Sequence, residues 1–113
     1  MKILAIEKEV SGVDWSTVSK ELLAQEALDV YNMYLMEQLR EHYFNEEKCA
    51  VLVLECDSKA QAQILLGKLP LVEKNLIAFD IMELHPYTGY DRIIHAIANN
   101  NGSICKAKGC KHV

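Results

Sequence analysis

The sequence has no apolar run approaching the roughly 20 residues that cross a bilayer, so a membrane-spanning helix is not expected. It also lacks a Gly-rich phosphate loop, a nucleophile elbow and a paired metal-ligand motif, which argues against phosphoryl transfer and triad hydrolysis. A Lys/Arg stripe interleaved with aromatics is missing too. Of the 12 Lys and Arg, four lie after Asp91, where none of the 16 Asp and Glu falls. An acidic body of this kind repels a phosphate backbone, and no nucleic-acid partner is expected. The basic tail reads as a solvated terminus. At the other end, Met1 to Ile6 is too short an apolar run for a signal peptide and is interrupted at once by Glu7, Lys8 and Glu9, so a cytoplasmic protein is expected.

The four cysteines are poorly placed for metal. Cys49 and Cys56 lie seven apart on one apparent strand, which points them to opposite faces, and both are read as buried hydrophobes. Cys105, Cys110 and His112 form a Cys-x4-Cys-x-His cluster beside lysines, which lower thiol pKa. Zinc would want a fourth ligand, from His95 or a second copy. An inert tail outweighs both a metal site and a reversible disulfide, and no metal or cofactor is expected.

What the sequence does have is apolar content: half of its 113 residues, enough for one core without staples. Met1 to Val10 alternates imperfectly and suits a strand buried largely on both faces. Asp14 is placed as the N-cap of a long helix reaching about Leu35, with Val13 able to staple onto Val18. Trp15, Val18, Leu22, Leu23, Val30, Tyr31, Tyr34 and Leu35 follow a 3.6-residue period and predict one buried stripe. Glu26 interrupts that stripe where the i to i+4 series Leu22, Glu26, Val30, Tyr34 calls for a hydrophobe.

Gln38 to Phe44 reads as a second strand, Asn45 to Lys48 as a hairpin turn, and Cys49 to Cys56 as the strongest and most central strand. Ser58 with Gln61 is a capping box opening a helix over Lys59 to about Leu66, closed by Gly67 and Pro70. Leu76 to Leu84 is the last strand, and Arg92 to Ala98 suits one short helix. The order is α+β, a ferredoxin-like βαββαβ pattern that closes as a four-stranded antiparallel sheet with two helices on one face. Because three strands are apolar on both faces, the uncovered face needs a partner, and a sheet-on-sheet homodimer supplies one.

Arg40 to Phe44, Ala50 to Glu55, Leu69-Pro70-Leu71-Val72, Leu76 to Phe79 and Pro86-Tyr87-Thr88-Gly89-Tyr90 together resemble the muconolactone-isomerase-like family. The resemblance covers about residues 1–93 and leaves 94–113 as a flexible C-terminal extension. It implies a dimeric α/β barrel whose ligand pocket lies between sheet and helices. It implies a cofactor-free isomerase acting on a small lactone or oxygenated ring compound; the alternative is a non-catalytic dimeric protein that binds a small molecule or assists a larger assembly.

Proton transfer beside a carbonyl needs a base, an acid and a group that steadies the developing enolate. Glu26, desolvated on its helix, is the candidate base. Arg40 could hold a substrate carboxylate through its fork of N–H groups. His42, on the same face as Arg40 by period-2 counting, and Tyr43, on the other, are candidate proton carriers. Tyr34, His85 and Tyr87 complete the expected substrate-binding set. Each has a plainer role open to it: Glu26 and Arg40 as an ion pair, His42 as a surface residue, Tyr43 as a core or interface aromatic, and His85, Tyr87 and Tyr90 as the edge of a dimer interface.

Overall fold

A computed structural model describes residues 1–98. The expected Cys105, Cys110 and His112 cluster lies outside the described residues. Four strands, β1 (Lys2–Glu9), β2 (Leu39–Phe44), β3 (Ala50–Glu55) and β4 (Ile77–Leu84), form one antiparallel sheet in the order β2-β3-β1-β4. Among the described residues, four α-helices, α1 (Lys20–Leu35), α2 (Lys59–Gly67), α3 (Pro70–Glu73) and α4 (Tyr90–Ala98), accompany the sheet. The arrangement is the ferredoxin-like one expected from the element order.

The core lies where the strand alternation puts it. Ile3 and Ala5 of β1 stand opposite Leu54 and Leu52 of β3. With Leu39 and Cys56 they form the fully covered floor, onto which Met33 of α1 and Ala62 and Leu66 of α2 are packed. Burying each such aliphatic side chain stabilises the fold by roughly 1.5–3 kcal/mol.

Several junctions differ from the sequence reading. Asp14 does not cap α1; its carboxylate accepts from the Ser16 N–H and stabilises a 3-10 turn at Trp15–Thr17. Val18 is then extended, and Ser19 caps α1 by accepting from the Leu22 N–H at 3.1 Å. Thr17 explains the interruption, because its hydroxyl bonds locally to the Asp14 carbonyl and its branched Cβ disfavours helix.

Leu69 to Val72 does more than end α2. Pro70 starts the separate short helix α3, in which its missing N–H is no loss. The reach-back of the capping box at Ser58 also differs: Gln61 accepts from the Asp57 N–H, one residue earlier than the usual partner. α4 contains the short helix expected over Arg92 to Ala98 and begins two residues earlier, at Tyr90.

The predicted buried stripe of α1 is the largest departure. Met33 is the helix's one fully buried residue, whereas Tyr31, Tyr34 and Leu35 are about half exposed, at 55%, 48% and 57%. The reason is that α1 stands off the far half of the sheet and leaves a space beneath it.

Among the described residues, no helix packs on the opposite face of the sheet. Alternation places Leu4, Ile6, Val51, Val53, Met82 and Leu84 there, with Lys8 and Asp80 paired at 2.9 Å along its edge.

Candidate functional site

The space beneath α1 is a cavity of about 1120 Å³. It is near or above the upper end of the roughly 300–1,000 Å³ usual for small-molecule sites. Its roof is the Leu23 to Tyr34 stretch of α1, its floor the ends of β1 to β4 nearest the β2–β3 hairpin, and its mouth is flanked by Trp15, Glu47 and Lys48. Leu71 of α3 closes one wall.

Glu26 hangs from the roof, half buried. Its Oε1 accepts from the Leu71 N–H at 2.9 Å. That N–H belongs to the first turn of α3, whose cap residue Leu69 offers no side-chain acceptor, so Glu26 caps a helix that is distant in sequence. Desolvation pushes the Glu26 carboxyl above its ordinary value; the Leu71 bond pulls it down, and the charges of Asp29 and Glu7 push it further up.

His42 rises from the floor opposite Leu52, and its ring meets Tyr34 edge-on at 5.3 Å between centroids. Tyr34 and His42 thus meet across the cavity from roof and floor. Tyr43 also borders the cavity, while its hydroxyl donates to Glu41 at 2.8 Å, a bond that raises the phenol's pKa together with the Glu41 charge.

The remaining candidates lie elsewhere. The pairing of β2 with β3 slips between Leu39 and Glu41, so the period-2 count that placed Arg40 beside His42 fails at that bulge. Arg40 borders a separate hollow with Glu37 and Leu39, and its charge acts on Glu55. Among the described residues it makes no ion pair with Glu26. His85 Nε2 approaches Glu83 at 3.4 Å on the surface, and Tyr87 packs edge-on against Tyr90 at 5.1 Å; neither lines the cavity.

Among the lining residues that were not singled out from the sequence as site residues are the polar Glu7, Glu9, Glu47, Lys48 and Cys49. A signal for Glu7 existed, since Ile3, Ala5 and Glu7 alternate onto one face of β1. Its carboxylate accepts from the Ala50 N–H at 2.8 Å. The Cys49 thiol, expected to be a buried hydrophobe, is only half buried; desolvation and then the charges of Glu7, Glu47 and Glu9 hold its pKa up, which makes it a weak nucleophile. Cys56 is buried in the core as expected. Among the described residues, no group of three His, Cys, Asp or Glu is placed to hold a metal ion, and no helix is long and apolar enough to cross a membrane.

A four-stranded antiparallel sheet with helices on one face is the ferredoxin-like architecture. Among solved structures the chain is similar to the 5-chloro-2-hydroxyhydroquinone dehydrochlorinase TftG from Burkholderia phenoliruptrix AC1100, in complex with 2,5-dihydroxybenzoquinone, which has this fold. The TM-score is 0.59 and the identity 12%, over 77% of this chain and 96% of that one. The chain matches no protein-family model and no curated protein.

Proposed function

We propose that this chain is a small-molecule-processing protein, dimeric through its open sheet faces, that moves a proton on an oxygenated ring compound held beneath α1. The observation that carries this reading is the half-buried Glu26 carboxyl, raised in pKa by its apolar surroundings and aimed into a cavity large enough for such a ring. In an isomerase-like reaction, Glu26 takes a proton from the carbon next to a carbonyl, and the electron pair left behind spreads onto the carbonyl oxygen. The proton then returns at another carbon, from Glu26 or from His42. As Glu26 gains the proton its own charge disappears while the substrate's appears, so the cavity's total charge is constant through the step. TftG, a dehydrochlorinase of the same fold, supports a small-molecule role for this architecture as an analogy of fold.

One observation favours a second reading, that of a binding protein without chemistry: Glu26 Oε1 already accepts from Leu71, as a purely structural carboxylate would. Incubating the protein in deuterated buffer with a panel of small lactones and cyclic ketones separates the two. Deuterium uptake into a ligand by wild type and its loss in Glu26→Gln is the expected result. Ligand-induced stabilisation with no exchange in either protein would establish the binding role instead.

A further inference from the structure

The walls of the cavity carry information about charge. Four carboxylates border it, from Glu7 and Glu9 at the end of β1, Glu26 on α1 and Glu47 in the hairpin. Among the described lining residues, Lys48 alone carries a fixed positive charge, and it lies at the mouth beside Glu47. The carboxylates act on common points inside: Glu7, Glu9 and Glu47 all act on Cys49, and Glu7 acts on Glu26. Between them stand aromatic faces, including Trp15, Tyr31, Tyr34 and Phe79. Arg40, the group that would have clamped a substrate carboxylate, borders a different hollow.

We infer that the cavity takes a flat ring compound bearing no negative charge, prefers one that carries an ammonium or similar cation, and turns away carboxylates. This rests on the small-molecule reading above and narrows it to a charge class. Two effects act in the same direction. The half-buried carboxylates of Glu7 and Glu26 attract a cation and repel an anion more strongly than they would in water, and the exposed Glu9 and Glu47 add a weaker, screened attraction in the same direction. Aromatic faces add cation–π attraction, because each ring presents a negative face. An anionic ligand would find neither a guanidinium fork nor a helix N-terminus of useful length among these walls.

The test uses three ligands with one ring system: biphenyl-4-ylmethylamine, biphenyl-4-ylmethanol and biphenyl-4-carboxylate. Trp15 is the chain's one tryptophan and borders the cavity, so its fluorescence reports occupancy directly. Titrations at neutral pH are run on wild type and on the double variant Glu9→Gln/Glu47→Gln, whose altered side chains are exposed and carry no core packing. The expected order is amine, then alcohol, then carboxylate, with the amine roughly tenfold tighter than the alcohol, as one desolvated charge contact provides. In the double variant the gap between amine and alcohol narrows. A carboxylate that binds as tightly as the alcohol, or a gap that the double variant leaves untouched, overturns the charge assignment while leaving the small-molecule reading in place. Failure of all three ligands to bind removes that reading itself, and the inference with it.

Discussion

Glu26 holds the Leu71 amide and is the base of the proposed reaction, and its titration bears on both. A carboxyl whose pKa is raised by folding binds its proton more tightly in the native state than in the unfolded chain. The native state is therefore favoured at pH below the ordinary carboxylate value of 4.5, and it loses that advantage as pH climbs through the raised value. Glu26→Gln removes this dependence but keeps an oxygen to accept from Leu71. Thermal melts of the two proteins across acidic and neutral pH are expected to diverge over that window, with wild type losing ground to the variant as pH rises and the difference levelling above it. Glu26→Ala also removes the acceptor, and is expected to destabilise by about 1 kcal/mol. A flat difference between wild type and Glu26→Gln at every pH would mean that the carboxyl is not desolvated. Glu26 was legible in the sequence because a charge sat in an apolar stripe. Arg40 was misplaced because a bulge changes which face a side chain occupies without leaving a mark in the spacing of apolar residues.

Caps and turns decide where the elements begin. Ser19 stands in front of α1 with its hydroxyl on the Leu22 N–H, while Asp14 serves only the preceding turn. Ser19→Ala is expected to lower stability by about 1 kcal/mol with loss of helical circular dichroism, and Asp14→Ala to cost less. The reverse ranking in denaturant melts would restore Asp14 as the helix cap. Both residues are acceptable caps in composition and both follow a valine, and the sequence reading took the earlier one, with Val13 and Val18 as a staple. What separated them was Thr17 and Val18, whose branched side chains disfavour the turn of helix that would have joined the two. The strands were easier to read. Ile3, Ala5, Leu52 and Leu54 pair across β1 and β3 in the register that their alternation implies, because a slip of one residue would turn the whole set to the other face. Three junctions use left-handed backbone at non-glycine residues, Glu37, Lys48 and Asn75, and only Asn75 is a residue type that announces it.

At the scale of the molecule, the open sheet face accounts for the proposed second copy. Leu4, Ile6, Val51 and Val53 form its centre, with Met82 at 41% exposure toward the β4 side. Met82→Glu places a charge on a residue that the monomer leaves partly in solvent, so the fold should tolerate it. Sedimentation equilibrium is expected to show wild type as a dimer and Met82→Glu as a monomer with unchanged circular dichroism; a wild type that sediments as a monomer at high concentration would end the dimer proposal. Continuous apolar strands made this face legible in the sequence, whereas the cavity between sheet and helices was expected only through the family resemblance and its size was not legible. Its volume depends on how far α1 stands from the sheet, and that distance is set by tertiary contacts. One of those contacts is the Glu26 to Leu71 bond, which ties roof to wall. A ligand that draws Oε1 of Glu26 into its own hydrogen bonding, rather than the second oxygen, releases the Leu71 amide and leaves the first turn of α3 without its acceptor. Occupancy of the cavity is then written into the chain as a local opening rate: the Leu71 amide should trade its hydrogen for solvent deuterium faster in the bound protein than in the free one, even as the rest of the core slows.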